Sequence, residues 1–335
     1  MKYLKVLGFL VSFLFGVSEI CRAAQLGEVT SIEKTPHGVI LTGNMTDGAS
    51  AELSITFYSE TIVRVRLGIN RVLDKKSLLL EAVRPVEIPF KVEESAATIT
   101  IESGDIRIEM QKNSARIAFS TLEGEVLLSE YNEKGMELLD GEVAAYFNLH
   151  ADDHFFGFGE KFGGLDKVGT TVVCYNKDAG DSYGDDTYIN IPFYMNPKGY
   201  GIFFHTTWRT VYDLGSSSSD WFSMRADGGD LDYFFIYGPE LKNVLASYTY
   251  LTGCSTMPPK WALGLWHGTY TGGHKGKAGF GQEEFLEIAR TFRKKKIPCD
   301  VLRIDSNWDD LDGADYIWHK SYPEPVAMIE EVKAM

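Results

Sequence analysis

Cysteine is scarce in this sequence, and positive charge is outnumbered by negative charge. Only four of the 335 residues are cysteine, and 33 Lys and Arg face 47 Asp and Glu, which gives a formal net charge of −14. If Cys21 is removed with the N-terminal segment, Cys174, Cys254 and Cys299 remain. An odd number of cysteines without paired spacing predicts neither a disulfide framework nor a metal site. The negative balance argues against nucleic acid or anionic membrane surfaces as partners, because both require clustered Lys and Arg.

Long apolar runs are missing beyond the first residues, so no membrane span is expected there. Residues 1–5 (MKYLK) are basic and residues 6–17 are apolar, which is typical of a signal peptide. We expect residues 1–23 to be removed near Ala23 and the protein to be exported, to the periplasm or the cell exterior. The alternative is a lipoprotein acylated at Cys21, but Ser18, Glu19 and Ile20 before it match the required small residues poorly.

Residues 24–253 predict a β-sandwich. Apolar and polar residues alternate in short segments, as in Leu53, Ile55 and Phe57, which is the pattern of half-buried strands. Turn signals such as Thr46-Asp47-Gly48 separate these segments at regular intervals. A helix is predicted around residues 239–250, with Leu241, Val244, Leu245 and Tyr248 on one apolar face.

Residues 254–335 predict the beginning of a (β/α)8 barrel. The segments 258–266 (PPKWALGLW) and 301–308 (VLRIDSNW) each end in aromatic, polar or acidic residues, as barrel strands do at their binding face. An amphipathic helix is predicted over residues 282–296, and a further apolar stripe joins Val326, Ile329 and Val332. Because a complete barrel takes about 250 residues, we expect this barrel to be incomplete and the chain to be truncated.

An ordered set of motifs resembles glycoside hydrolase family 31. The set comprises residues 156–161 (FGFGEK), 175–178 (YNKD), 191–195 (IPFYM), 200–202 (YGI) and the two barrel segments. The resemblance implies a galactose-mutarotase-like β-sandwich followed by a catalytic barrel, in an exo-acting, retaining α-glycosidase without a cofactor. It also implies that the aspartate nucleophile and the aspartate acid/base lie on later barrel strands, beyond residue 335.

The resemblance carries substrate-binding roles to five residues. Asp178 resembles the loop aspartate that binds a sugar hydroxyl, and Asp305 resembles the aspartate that binds the non-reducing sugar at the end of a barrel strand. Ser306 and Trp308 flank Asp305 as pocket wall, with a core position as the alternative for Trp308. Tyr270 resembles an aromatic residue near the aglycone site.

Other polar residues are expected to be structural. Glycines around Glu160 suggest a backbone bend instead of acid/base catalysis. His205, His267 and His274 have neither metal-ligand spacing nor an identifiable Ser or Cys partner in the sequence.

Two functions follow as hypotheses. The first is the N-terminal part of an exported α-glycosidase that acts on terminal α-xylosyl or α-glucosyl residues of oligosaccharides, with lyase or transglycosylase chemistry still open. The second is a carbohydrate-binding or catalytically inactive module, because the catalytic pair is not assigned within the chain. The sequence leaves the oligomeric state undetermined.

Overall fold

The computed structural model describes residues 23–69, 77–81, 83–180, 184–269, 281–305, 308–309 and 316–335. The chain divides into two compact units, Met1–Cys254 and Ser255–Met335. The predicted signal peptide lies almost wholly outside the described residues. Within the described ranges, no helix has both the length and the apolar character needed to cross a membrane.

Short antiparallel strands dominate the N-terminal unit. Side chains alternate between the interior and the surface in Ser50–Ser59 and Ile106–Gln111, as the sequence pattern predicts, whereas Tyr200–Phe204 is buried on both faces. The strands are β1 (Ala24–Thr35), β2 (Gly38–Met45), β3 (Ser50–Ser59), β4 (Ile62–Ile69), β5 (Lys91–Glu94), β6 (Thr98–Ser103), β7 (Ile106–Gln111), β8 (Ile117–Thr121), β9 (Val126–Ser129), β10 (Met136–Leu139), β11 (Glu142–Asn148), β12 (Phe156–Gly159), β13 (Thr171–Cys174), β14 (Asn190–Asn196), β15 (Tyr200–Phe204), β16 (Thr210–Asp213), β17 (Trp221–Ala226) and β18 (Leu231–Tyr237).

These strands form two sheets. Thirteen strands follow the order β12-β14-β15-β18-β4-β3-β2-β1-β10-β11-β17-β16-β13, and β5 to β9 form a five-stranded meander. Strand β1 joins two parts of the large sheet, because Ala24 pairs with Leu138 of β10 while the rest of the strand pairs with β2. A single long strand thereby links two faces of one core.

Aromatic side chains fill the space between the strand layers. Tyr194 of β14 meets Phe222 of β17 and Tyr212 of β16, with ring centroids 6.3 Å apart in both pairs. Phe119 of the small sheet stacks on Phe235 of β18 at 4.1 Å. Each buried aromatic side chain contributes about 1.5–3 kcal/mol through the area it removes from water. The predicted β-sandwich is confirmed.

The helix that follows β18 buries most of the apolar face that the sequence predicts, with one exception. Helix α1 (Leu241–Thr252) buries Val244 and Leu251 and stacks Tyr248 on Phe193 with centroids 3.9 Å apart. Leu245 was predicted on this face, but its side chain is 46% exposed. The prediction was wrong at Leu245 because the sheet covers only the narrow stripe through positions 244, 248 and 251.

The C-terminal unit contains the first strands and helices of a barrel. A 3₁₀ turn, Lys260–Leu263, precedes β19 (Trp266–Thr269), α2 (Gln282–Lys294), β20 (Val301–Ile304) and α3 (Pro325–Ala334). Strands β19 and β20 pair in parallel, with Trp266 opposite Val301 and Thr269 opposite Ile304. A partial (β/α)8 barrel is confirmed in this unit. Helix α3 buries Met328 and leaves Val326 73% exposed, so the predicted stripe was wrong at Val326.

Glu130 is a carboxyl group in the interior of the sandwich. It follows β9, and its Oε2 accepts a 3.4 Å hydrogen bond from the backbone N–H of Ile117. Burial raises the pKa of Glu130 to about 8, and the attraction of Arg116 offsets only part of this effect. The side chain therefore stays protonated in the folded protein at neutral pH.

Glu130→Gln is expected to remove a pH dependence of stability. An unfolded glutamate has a pKa of about 4.3, so between that pH and about 8 the folded state binds one more proton than the unfolded state. The free energy of unfolding then falls as pH rises through this interval. Urea unfolding measures the free energy of unfolding of the wild type and of the variant at both ends of this pH interval. We expect the free energy to fall with rising pH in the wild type but not in the variant. Glu123→Gln, in an exposed turn, is the control, and equal slopes in wild type and Glu130→Gln would contradict the assignment.

Candidate carbohydrate-binding site

Asp178 lies on an exposed loop that follows β13. The backbone of this loop pairs with a second segment, through a bridge between Asn176 and Thr187 and a 3.1 Å hydrogen bond from Lys177 N–H to Thr187 O. The Tyr188 hydroxyl donates a 2.7 Å hydrogen bond to Asp178 Oδ1. The carboxylate is thus oriented while its side chain remains at the surface, where it can accept hydrogen bonds from ligand hydroxyls.

Lys161 organises the base of this loop. Its side chain is 1% exposed, and its ammonium group donates to Val173 O, to Asp185 O at 2.8 Å and to Asn190 Oδ1. Burial lowers the pKa of Lys161. Lys161 was not among the predicted site residues, although its position at the end of the segment 156–161 (FGFGEK) was an available signal.

Side-chain amides connect Lys161 to the loop that carries Asp178, through Asn190 and Asn176. Asn176 Oδ1 accepts hydrogen bonds from Asn190 N at 2.8 Å and from Asn190 Nδ2 at 2.9 Å. Tyr175 and Tyr188 are 51% and 54% exposed in the same region. Exposed tyrosines beside a carboxylate supply the apolar faces and the polar groups that a sugar ring requires.

Glu160 belongs to the backbone bend that the glycines predicted. Gly157 and Gly159 have φ angles of +138° and +81°, and a β-carbon on Gly157 would lie 2.6 Å from Phe193 O. Glu160 N–H donates to Ile189 O at 2.8 Å, and its side chain is exposed. This segment positions the Asp178 loop through its backbone.

Asp305 directly follows β20, at the carboxyl end of the parallel strand pair. Its side chain is 23% exposed, and Oδ2 lies 3.4 Å from Arg303 Nη2. The backbone O of Asp305 accepts a 3.2 Å hydrogen bond from Trp308 N–H. Because barrel enzymes assemble their sites at this end of the strands, the position suits a substrate-binding carboxylate.

Trp308 lies beside Asp305 within the C-terminal unit. Its ring meets that of Trp318 at 5.3 Å and packs against the apolar cluster that contains Phe285 and Met328. Trp308 therefore supports the segment after β20 through packing. Ser306 and Tyr270, which carried the remaining site predictions, lie outside the described residues.

The structure places the site residues in separate units. Asp178 belongs to the N-terminal unit, and Asp305 and Trp308 belong to the C-terminal unit. Among the three predicted site residues that the structure describes, Asp305 and Trp308 lie in one compact unit and Asp178 lies in the other. The substrate-binding roles of all five residues stay predictions.

His205 has the serine partner that its sequence context did not reveal. Its Nε2 lies 2.6 Å from Ser77 Oγ and its Nδ1 lies 2.9 Å from Asp232 Oδ2. Ser77 Oγ also accepts the backbone N–H groups of Leu79 and Leu80, at 3.0 Å each. These two bonds make the hydroxyl the cap of a turn, so the cluster fixes the segment at residues 77–81 instead of supplying a nucleophile.

Metal-ligating groups are dispersed in the described parts of both units. Across those residues no cluster of three or more His, Cys, Asp or Glu side chains has an arrangement that fits a metal ion. Cys174 and Cys299 are buried thiols, and Cys254 is exposed. Burial raises the pKa of Cys174 to about 11, which keeps the thiol protonated.

The chain combines a β-sandwich with the first strands of a (β/α)8 barrel, and an aspartate follows one of those strands. Barrel enzymes place their binding groups at that position. Residues 52–213 match the model of the glycosyl hydrolase 31 N-terminal galactose mutarotase-like domain. Residues 255–335 match the glycosyl hydrolases family 31 TIM-barrel domain. The chain belongs to glycoside hydrolase family 31.

Individual relatives cover most of this chain. α-Glucosidase 2 of Bacillus thermoamyloliquefaciens is 34% identical over 264 residues, which are 76% of this chain and 32% of that protein. α-Xylosidase XylQ of Lactiplantibacillus pentosus is 27% identical over 254 residues, 73% of this chain and 32% of that protein. A Flavobacterium johnsoniae GH31 dextranase complexed with glucose superimposes with a TM-score of 0.82 at 29% identity, over 92% of this chain and 37% of its own. The chain spans about a third of the length of these relatives.

Proposed function

We propose that this chain forms the N-terminal part of a retaining α-glycosidase that acts on terminal α-glucosyl or α-xylosyl residues of oligosaccharides. The observation that carries the proposal is the position of Asp305 at the carboxyl end of paired β19 and β20. There the carboxylate would accept hydrogen bonds from sugar hydroxyls and orient the ring. Separately, within the N-terminal unit, Asp178, held by Tyr188 and by the network around Lys161, would bind a sugar hydroxyl.

The chemical step needs two further carboxyl groups. Retention requires a nucleophile and an acid/base about 5–5.5 Å apart, and we propose that barrel strands beyond residue 335 supply both. The start of the barrel supports this proposal with exposed apolar side chains, including Leu263 at 79% and Trp266 at 51%. Further strands and helices of the barrel would cover these apolar side chains. Asp178 and Asp305 would then bind substrate without taking part in bond cleavage.

The proposal also covers the class of sugar that the enzyme would accept. α-Glucosidase 2 and α-xylosidase XylQ are similar to this chain at comparable coverage, and a variant of the Flavobacterium johnsoniae dextranase was solved with isomaltotriose. The formal net charge of −14 favours neutral substrates over anionic ones, because an anionic substrate would be repelled. We therefore propose neutral α-linked oligosaccharides as the substrate class.

Hydrolysis assays test this proposal directly. Purified 335-residue protein and the product of a reading frame extended past residue 335 are compared on p-nitrophenyl α-xyloside and α-glucoside. We expect turnover only in the longer product, and the faster substrate identifies the sugar. Turnover by the short chain would place the catalytic pair within residues 1–335. Sugar binding without turnover in both proteins would support the alternative, a binding or inactive module.

We also propose that the protein is exported after cleavage near Ala23. The first strand begins at Ala24, so cleavage after Ala23 would leave the sandwich intact. Mass spectrometry of the secreted or periplasmic product should give a mature N-terminus at Ala24 or Gln25. Acylation at Cys21 would instead identify a lipoprotein.

A further inference from the structure

A cleft opens on the sandwich among β4, β18 and the segments after β15 and β17. Its volume is about 230 Å³, and its walls include Arg66, His205, Trp208, Asp230 and Asp232. None of these residues belongs to the Asp178 loop or to the strands around Asp305. Concave sites that combine an apolar surface with a few fixed polar groups are the usual form of small-ligand sites.

The charged groups of the cleft are paired with one another. Arg64 donates to both oxygens of Asp232 at 2.8 and 2.6 Å, and Arg66 donates to Asp230 at 2.5 Å. The two guanidinium groups of this cleft are matched by two carboxylates. An ionic ligand would have to compete with these pairs for its counter-charge, whereas a neutral polyhydroxylated ligand can hydrogen-bond to them as they stand.

Asp230 keeps part of its hydrogen-bonding capacity at the cleft surface. Its side chain is 40% exposed even though Oδ2 accepts from Arg66, while the side chains of Arg66 and Asp232 are only 7% exposed. The deeper groups therefore hold the site rigid, and Asp230 presents a carboxylate edge to solvent. Hydroxyl groups donate well to such an oriented acceptor.

Trp208 supplies a flat apolar wall. Its ring lies against the backbone of Gly228 and Gly229, where a β-carbon on Gly228 would come within 2.8 Å of the indole. Gly229 has a φ of +87°, which also disfavours a side chain. The backbone N–H of Trp208 donates to Thr206 Oγ1 at 3.1 Å. The main chain is therefore anchored at this position, although Trp208 is 56% exposed.

A fixed, exposed indole beside hydrogen-bonding groups is suited to a sugar ring. The apolar C–H face of a pyranose can cover the indole while its hydroxyls point toward the polar wall, which satisfies both kinds of surface. A single exposed hydrophobic side chain needs no explanation by itself. Here, however, two glycines accommodate the ring, and the ring borders a charge-balanced cleft.

We propose that this cleft binds a neutral oligosaccharide, with Trp208 stacked on one pyranose ring and Asp230 accepting hydrogen bonds from its hydroxyls. This goes beyond the proposed hydrolysis, because it assigns a binding role to the sandwich that would persist in a chain without catalytic activity.

Isomaltotriose is the probe for the test, measured by titration calorimetry on the 335-residue protein. The protein carries Asp178→Asn and Asp305→Asn, so that binding at those positions is suppressed. We expect isomaltotriose to bind, Trp208→Ala to weaken binding at least tenfold, and Trp208→Tyr to retain most of it. Tyr250→Ala, which removes an aromatic ring of similar exposure on α1, should leave affinity unchanged.

The alternatives give different results. Absence of binding in the parent protein, or equal affinity of Trp208→Ala and the parent, would overturn the proposal. If circular dichroism shows that Trp208→Ala is unfolded, Asp230→Asn provides the second test, with an expected severalfold weakening in a folded protein. Failure of the proposed hydrolysis is a separate result, because calorimetry measures sugar binding by the 335-residue protein and requires no turnover.

Discussion

Replacing Asp305 with alanine is expected to lower kcat/KM for aryl α-glycosides by about 10- to 100-fold in the α-glycosidase proposed above. The loss of a hydrogen bond to a charged group costs roughly 1.5–3 kcal/mol, and the ratio of kcat/KM values converts that cost into a change in rate. The fold should be unaffected, because Asp305 follows β20 and is partly exposed. The measurement is steady-state kinetics on p-nitrophenyl α-glucoside and α-xyloside with thermal unfolding in parallel.

Asp300 provides a matched control at the other end of the same strand. It precedes β20, and its backbone N–H donates to Leu265 O at 3.0 Å. In barrel proteins that end of the strands contributes to stability and not to the active site. Asp300→Ala should therefore leave kcat/KM near the wild-type value. Wild-type kinetics in Asp305→Ala would exclude the substrate-binding role.

Asp232→Ala is expected to destabilise the N-terminal unit by about 3–5 kcal/mol, the usual cost of breaking a buried ion pair from one side. Asp232 is 5% exposed and accepts hydrogen bonds from Arg64 and His205. Its removal leaves the Arg64 guanidinium, whose side chain is 13% exposed, without its carboxylate. Urea unfolding followed by circular dichroism measures the effect.

The neighbouring Asp230 separates burial from ion pairing. Asp230 also pairs with an arginine, but Asp230 is 40% exposed, and Arg66 keeps the carboxylate of Asp232 at 3.8 Å when Asp230 is removed. Asp230→Ala should therefore cost clearly less stability than Asp232→Ala. If Asp232→Ala and Asp230→Ala lower the free energy of unfolding by the same amount, burial of Asp232 does not explain its effect on stability.

The pH dependence of the Asp232 contribution has a defined sign. Burial by itself would raise the pKa of Asp232, but hydrogen bonds from Arg64 and His205 outweigh it, so the pKa is lowered. Stability from Asp232 is then present above the unfolded aspartate pKa and is lost as pH falls through the lower folded value. This direction is opposite to that of Glu130, whose contribution declines as pH rises toward 8.

Local pattern was sufficient for the sandwich and the barrel start. Alternation in segments such as 53–57 depends on nearest neighbours along one strand, so it survives whatever the distant partners are. The same reasoning was wrong at Leu245 and Val326, because periodicity shows that a helix has an apolar face but not how much of that face a neighbouring element covers.

Long-range contacts explain what the sequence could not supply. Lys161 reaches Asn190 across 29 positions, and Ser77 reaches His205 across 128. Such pairs leave no spacing signature, because they form only when separate strands or loops are brought side by side. Resemblance to a family, and not local physics, singled out Asp178 and Asp305 among many acidic residues.

The sequence by itself determined the half-buried strands, the balance of charge and the acidic ends of the barrel segments, because these follow from composition and from residue order within single elements. Only the tertiary structure decided which charges are buried together, how the Asp178 loop is anchored and where Trp208 meets the Asp230 cleft. These features depend on close packing between residues far apart in the chain, which fixes distances and burial that no local pattern encodes.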